Sequence, residues 1–352
     1  MKQGELRMNK FLGITCICIM ITFVFTACGS DEKAANSCKN DNQTKQENNN
    51  DETQDTATEP KEEIVFPDTH LQKMDAGKDV KALQAALNEI GYDISITGTY
   101  DEGTTWAITD FQLQESLQAT GIYNAGTKAA SAQFLANGKE IKSGAGLPKE
   151  DDVQTNEAGN PVSSNPYDVL GLVNKHHALP ADFIPNDLVV PDVRFPFTED
   201  LPKKQLRKVA ADALEELFAA GDEAGMDLFA QSGYRSYKRQ DAIFAAYVEK
   251  DGEEAANNYS ARPGESEHQT GLTMDITSPE VDFLLTTSFA DTKEGKWVKE
   301  HAAEYGFIIR YPEEKEEITK YQFEPWHLRY VGIKAAKEIM GNGLSLEEYL
   351  GE

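Results

Sequence analysis

No cysteine occurs after Cys38 in this chain of 352 residues. The other three, Cys16, Cys18 and Cys28, fall in the first 30 residues, so no disulfide framework is available to hold the remainder together. Positive charge is also scarce: 34 Lys and Arg against 60 Asp and Glu give a formal charge of −26. Such a surface repels nucleic acid and anionic membrane, which argues against a nucleic-acid partner. Long apolar runs are missing save one, at residues 11–27. Material for cores is nonetheless present, since 39% of residues are hydrophobic with three Trp, 13 Tyr and 16 Phe. The length suits two domains plus connecting sequence.

The single apolar run follows Lys2, Arg7 and Lys10 and ends in Phe25-Thr26-Ala27-Cys28-Gly29-Ser30, the layout of an export signal. It is shorter than the ~20 residues that a permanent spanning helix needs. The small residue before Cys28 resembles the lipobox of bacterial lipoproteins, although Phe25 stands where Leu is usual. That resemblance implies a signal peptide over residues 1–27, a lipid on Cys28 after cleavage, attachment to the membrane through it, and a location on the extracellular face of the cell membrane. An uncleaved anchor of the same orientation is the alternative. Residues 28–72 follow, rich in Asn, Gln, Asp, Glu, Lys and Thr up to about residue 63. They bury too little apolar surface to offset ordering entropy and are expected to form a disordered tether.

Residues 73–136 carry the first folding pattern. Val80, Leu83, Leu87 and Ile90 recur on one helical face, with Gly91 where a C-cap belongs. A turn-rich stretch, Ile96 through Asp101, precedes a second helix bearing Trp106, Ile108, Phe111 and Gln112, and Gly126-Thr127 leads into a third. Asp79-Val80-Lys81-Ala82-Leu83-Gln84, Gly98-Thr99-Tyr100-Asp101 and Trp106-Ala107-Ile108 with Phe111-Gln112 together resemble the three-helix peptidoglycan-binding module of cell-wall hydrolases. The resemblance implies peptidoglycan as a partner; periodicity alone shows only a core. Residues 137–165, with few apolar side chains and scattered Gly and Pro, read as a linker that separates binding from chemistry.

Residues 166–352 mix short strands and helices without a regular βαβ rhythm, which indicates an α+β domain. Leu206, Val209, Ala213, Leu214, Leu217 and Phe218 predict an amphipathic helix closed by Gly221, Leu228-Phe229-Ala230 a strand, and residues 237–249 a helix with Gln240 on its first turn. Within this domain lie Ser266-Glu267-His268-Gln269-Thr270-Gly271-Leu272-Thr273-Met274-Asp275 and Glu324-Pro325-Trp326-His327. A catalytic zinc uses three His, Asp or Glu ligands, keeps its fourth position for water, and needs a nearby carboxylate for that water's proton. His268, Asp275 and His327 supply candidate ligands and Glu324 a candidate base. Pro325 excludes the helical arrangement of many metalloproteases, leaving an extended or bent segment. Glu267 reads as a solvated surface carboxylate.

Those motifs, with Ser232-Gly233-Tyr234-Arg235-Ser236 before them, Gly306 through Pro312 between them and Leu328-Arg329-Tyr330 after them, resemble the zinc D,D-carboxypeptidases of the VanY type, in the wider group that includes LD-carboxypeptidases. The resemblance implies a small antiparallel-sheet peptidase domain, Zn2+ on His268, Asp275 and His327, and Glu324 as general base. It further implies Arg235 at the oxyanion or holding substrate, with Gln240 and Ser266 at the C-terminal end of the peptide. The expected activity is removal of the terminal D-alanine from peptidoglycan stem peptides. Cleavage of the L,D bond of tetrapeptides remains open on the sequence, as does a wall-binding adaptor with a structural metal.

Overall fold

The computed structural model describes residues 64–147 and 154–352; the signal, Cys28 and most of the tether lie outside them. The first module holds three helices, α1 (Lys78–Glu89), α2 (Glu102–Gln114) and α3 (Ala125–Ala136). Val80, Leu83, Leu87 and Ile90 are buried as their spacing predicts, and they meet Ile108, Phe111 and Phe134 in one core. Asp101 caps α2 by accepting from Thr104 N–H, and Asn124 caps α3 by accepting from Thr127 N–H. Two buried glutamines secure the intervening turns. Gln84 accepts from Gly98 N–H at 2.8 Å and donates to the Thr99 carbonyl and the Thr104 hydroxyl, both at 2.9 Å. Gln112 accepts from the Thr120 and Gly121 N–H groups and donates to the Ile122 carbonyl. With their backbone groups paired in this way, the turns can lie against the core.

The core of the helical module takes in residues that composition assigns to the tether. Residues 64–72, assigned to the tether, carry Phe66 and Leu71, which are buried in the same core, and Leu71 bridges Tyr123.

In the second module β1 (Leu188–Val189) pairs antiparallel with β2 (Leu206–Arg207), which leads into α4 (Lys208–Glu223). A four-stranded antiparallel sheet comprises β3 (Phe229–Ser232), β4 (Thr273–Thr277), β5 (Phe307–Tyr311) and β6 (Glu324–Tyr330), in the order β3-β4-β6-β5. The expected α+β architecture is thus the one observed. Helices α5 (Tyr237–Asp251) and α6 (Glu253–Tyr259) lie between β3 and β4, α7 (Lys293–His301) between β4 and β5, and α8 (Glu316–Thr319) between β5 and β6. Helices α9 (Ile333–Asn342) and α10 (Leu346–Leu350) follow the sheet. Leu214, Leu217 and Phe218 of α4 share a core with Met274 and Ile276 of β4 and Leu328 of β6. Gly221 does not close α4, as the sequence predicts. It lies inside the helix, where an added Cβ would come within 3.0 Å of Leu228, and the left-handed glycine after the helix is Gly225 at φ +73°.

Residues 137–165, read as a linker, are fastened at both ends. Asp110 accepts from the Gly146 and Leu147 N–H groups at 2.8 Å each, and Asn156 and Asn160 donate to Glu265 Oε1. The two modules also meet directly. The fully buried Arg207 is bound to Asp187 at 3.0 Å and donates to the carbonyls of Tyr167 and Ala119, and Asn165 donates to Thr109 Oγ1 at 3.0 Å. Ile122 of the helical module belongs to the sheet domain's core, and residues 61–352 form one compact unit. Polar composition marked this segment as free, but among its described residues Gly146, Leu147, Asn156, Asn160 and Asn165 are hydrogen-bonded to the modules on either side.

If this junction is cooperative, calorimetry shows one unfolding transition for both modules, and Arg207→Met, which strands Asp187 and two carbonyls, destabilises it by about 3 kcal/mol. Two separate transitions, with only one moved by the substitution, would contradict the arrangement.

Candidate active site

Asp275 and His327 are directly paired partners across β4 and β6, which sets their side chains side by side. His327 Nδ1 lies 3.1 Å from Asp275 Oδ1. His268 arrives from a 3-10 turn, Glu267–Thr270, that ends at Gly271. Gly271 has φ +69°, and a Cβ there would come within 2.9 Å of Arg207, so both conformation and space call for glycine. The reversal brings His268 Nε2 to 3.4 Å from Asp275 Oδ2. Donor atoms of His268, Asp275 and His327 all lie within 4.8 Å of one another.

Glu324 needs a different explanation. Residues three apart on a regular strand point to opposite faces. Here β5 and β6 lose register: Ile309 faces Leu328 but Tyr311 faces Glu324, so two steps along β5 match four along β6. The resulting bulge turns Glu324 back to the face of His327, with Glu324 Oε2 3.4 Å from His327 Nδ1.

A hydrogen bond at one far ring nitrogen and a facing carboxylate at the other favour the tautomers a cation would require. His268 Nδ1 donates to the Gly233 carbonyl at 2.8 Å, which leaves Nε2 as the donor atom. Gly233 is confined because a Cβ would come within 2.5 Å of the Gln205 carbonyl. His327 Nε2 faces Glu267 Oε2 at 3.5 Å, which leaves Nδ1. Glu267 is therefore no surface carboxylate but a fully buried one. Its Oε1 accepts from Arg310 Nε and Arg329 Nη1, each at 2.7 Å. Arg310 in turn grips Glu347 of α10 through two bonds of 2.8 and 2.6 Å, and Arg329 donates to the Val169 and Gly171 carbonyls. Arg310 and Arg329 stand in motifs that the sequence reading quoted without giving them a role. The available signal was a cation inside each of two apolar strand segments, where it must find an acid.

The electrostatics follow from this burial. Burial alone would raise the carboxyl pKa of Glu267, but the two guanidinium groups override it and hold the pKa far below the usual range. Burial and the neighbouring Arg235 push His268 down to about 3. His327 is pulled down by burial, yet Asp275, Glu267 and Glu324 win and lift it to about 9. For Glu324, burial, reinforced by Asp275 against the pull of His327, raises the pKa to about 7.

Arg235 opens the same face from the loop after β3. Its Nη1 donates to Gln240 Oε1 at 2.9 Å and its backbone N–H donates to the His268 carbonyl. Gln240, on the first turn of α5, donates in turn to the Ala261 carbonyl at 2.6 Å. Its amide bridges Arg235 and the Ala261 carbonyl, next to the catalytic groups where the resemblance expects it to contact substrate. Ser266 is buried immediately before the 3-10 turn and its carbonyl accepts from Gln269 N–H. A cavity of about 940 Å³ bordered by Tyr167, Asp168 and Phe183 contains none of these groups.

The site fits a dication. Tetrahedral bonds of about 2.0–2.1 Å place donors roughly 3.3 Å apart, close to the spacings of Asp275 to each histidine. Asp275 Oδ1 is moreover buried without a hydrogen-bond partner, an arrangement that a cation relieves. Three such donors with a spare carboxylate beside them on an α+β scaffold define a candidate metallohydrolase. Residues 203–333 match the VanY family, D-alanyl-D-alanine carboxypeptidase, and residues 76–130 match a family described as "Putative peptidoglycan binding domain". The chain is 46% identical over 259 residues, 68% of its length and 95% of the relative's, to "Putative carboxypeptidase YodJ" of Bacillus subtilis (strain 168). It is 34% identical, over 51% of its length and 92% of the relative's, to the Enterococcus gallinarum "Bifunctional D-Ala-D-Ala dipeptidase and D-Ala-D-Ala carboxypeptidase VanXYC". A solved structure of the LdcB LD-carboxypeptidase is 54% identical with a TM-score of 0.55, covering 57% of this chain and 93% of that one. The chain belongs to the VanY carboxypeptidase family and carries a peptidoglycan-binding domain ahead of the peptidase.

Two outcomes follow for the metal. With His327 lifted to about 9 and Glu324 to about 7, an incoming dication must displace protons near neutral pH, so affinity should rise between pH 6 and 8 and calorimetry in buffers of different ionisation enthalpy should report net proton release. Glu267→Gln should weaken metal binding about 10- to 100-fold; affinity within twofold of the parent would mean that Glu267 does not hold His327.

Proposed function

We propose that this protein is a zinc-dependent carboxypeptidase that removes the C-terminal D-alanine from peptidoglycan stem peptides. The observation that carries the reading is the position of Glu324, a spare carboxylate 3.4 Å from a donor atom of the His268, Asp275 and His327 triad. A purely structural site has no use for such a base and closes with four protein ligands, which argues against the adaptor alternative. Two His and one Asp are the donor set of a catalytic zinc rather than of a hard cation such as magnesium or calcium.

Zinc bound there would polarise the scissile carbonyl and lower the pKa of the attacking water towards ~7. Glu324, with its pKa raised to about 7, takes that water's proton and later passes it to the leaving amine. Arg235, held by Gln240, opposes the negative charge that develops on the carbonyl oxygen. The docked helical module would keep the site close to the wall polymer. The N-terminal pattern supports export with attachment through a lipid on Cys28; mass spectrometry of the mature N-terminus tests this, and a chain that retains residues 1–27 would refute the lipid and favour the uncleaved anchor.

The D,D reading rests on the family model over residues 203–333. An L,D reading, cleavage of tetrapeptides, is favoured by the 54% identity to the LD-carboxypeptidase structure. Purified protein incubated with penta- and tetrapeptides, with products weighed by mass spectrometry, separates the two. Loss of alanine from neither in the presence of zinc would defeat both readings.

Glu324→Gln should lower kcat by at least about 10²-fold while the metal remains bound. Since a base acts deprotonated, kcat/KM should fall about tenfold per pH unit below the pKa of Glu324, and a bound dication should draw that limb below 7.

A further inference from the structure

Helix α10 supplies no donor atom to the candidate metal site, yet it carries a carboxylate into the interior behind it. Glu347 is buried, and both its oxygens accept from Arg310: Oε2 from Nη1 at 2.8 Å and Oε1 from Nη2 at 2.6 Å. Oε1 also accepts from Asn174 Nδ2 at 3.1 Å. Asn174 is itself locked, because its Oδ1 accepts from the His176 and His177 N–H groups at 2.9 and 3.1 Å. Burial would raise the carboxyl pKa of Glu347, but Arg310 and Asn174 outweigh it and hold the pKa below the usual range, so the group is charged. A capping box between Ser345 and Glu348 fixes the start of α10, and Leu346 is buried in the sheet domain's core.

The bonding pattern of Arg310 carries that placement inward. Its guanidinium is planar, so two bonds to Glu347 along one edge fix the direction of Nε–H on the adjoining edge. That N–H meets Glu267 Oε1 at 2.7 Å, and Glu267 Oε2 lies 3.5 Å from His327 Nε2. Arg329 Nη1 meets the same Oε1 at 2.7 Å, while its Nη2 donates to the Val169 and Gly171 carbonyls. Charge follows the same path. Arg310 and Arg329 bring two positive charges, Glu267 and Glu347 two negative ones. Without Glu347 the group would present one net positive charge to a histidine whose expected ligand is a dication.

We propose that Glu347 is a positioning residue for the metal site: by clamping Arg310 it aims Glu267 at His327 and completes the balance of charge behind that ligand. The proposal rests on the metal-site reading and is independent of which stem peptide is cleaved. If Glu347 served only to anchor α10, its loss would lower stability and leave the affinity for metal alone.

Zinc Kd is measured on the full chain by competition with a chelator, for the parent, Glu347→Gln, Glu267→Gln and the double variant, with thermal unfolding of each. Glu347→Gln should raise Kd about tenfold and shift the visible spectrum of the Co2+-loaded protein, which reports ligand geometry. Because Glu347 acts through Glu267, adding Glu347→Gln to Glu267→Gln should change Kd by less than about twofold. Ser345→Ala removes the cap of α10 and leaves the clamp in place; it should lower thermal stability and keep Kd within about twofold of the parent. A Glu347→Gln variant with the parental Kd and spectrum overturns the proposal. So do effects of the two substitutions that simply multiply, or a Ser345→Ala variant whose Kd rises as far. Should Glu347→Gln not fold, Glu347→Asp keeps the charge but falls one methylene short of Arg310, and a Kd within about twofold of the parent then overturns the proposal. A parent chain that binds no zinc refutes the metal-site reading and the proposal with it. The expected pattern of Kd in a chain that cleaves no stem peptide sustains the proposal and refutes the reaction.

Discussion

The buried carboxylate of Glu267 ties the peptidase domain to its site. It neutralises Arg310 and Arg329 from two neighbouring strands and faces the far nitrogen of His327. None of these groups could be buried alone, because an unpaired charge in the interior costs several kcal/mol. Together they form a chain of acid and base that runs from α10, through Glu347 and Arg310, to His327. The C-terminal helix thus takes part in holding a side chain that would bind metal, although it contributes no donor itself. Rigid support of this kind is what keeps donor atoms at bonding distance.

The sheet adds a second constraint. Direct pairing of Asp275 with His327 needs a regular ladder, whereas bringing Glu324 onto the same face needs that ladder to fail between β5 and β6. Both conditions are met within four residues of β6. Regular pairing thus sets the ligands and irregular pairing the base, and Pro325, which lacks an N–H for the ladder, stands inside the irregular stretch.

Attachment of the helical module follows the same logic of buried polar groups. Arg207 and Asn165 reach across to the Ala119 carbonyl and the Thr109 hydroxyl, so the wall-binding module and the peptidase share hydrogen bonds as well as apolar contact. For an enzyme acting on an insoluble polymer, such a junction limits the directions from which the site can meet its substrate.

Much of this was legible in the residues. The spacing of Val80, Leu83, Leu87 and Ile90 specified a helix and its buried face, and the short apolar run Leu228-Phe229-Ala230 marked a strand, because both are local patterns. His268, Asp275, Glu324 and His327 were nameable because their types suit zinc chemistry and their motifs resemble a known family. Composition misled where polar residues were assumed to face water: Glu267 is buried, and described parts of the segment at 137–165 are hydrogen-bonded to both modules. Sequence alone therefore determined the main elements and the candidate chemistry. Tertiary structure decided which charges were buried, which ring nitrogens stay free for a metal, and how Glu324 turns towards His327, since each depends on partners that lie far apart in the chain and meet only once the sheet has formed.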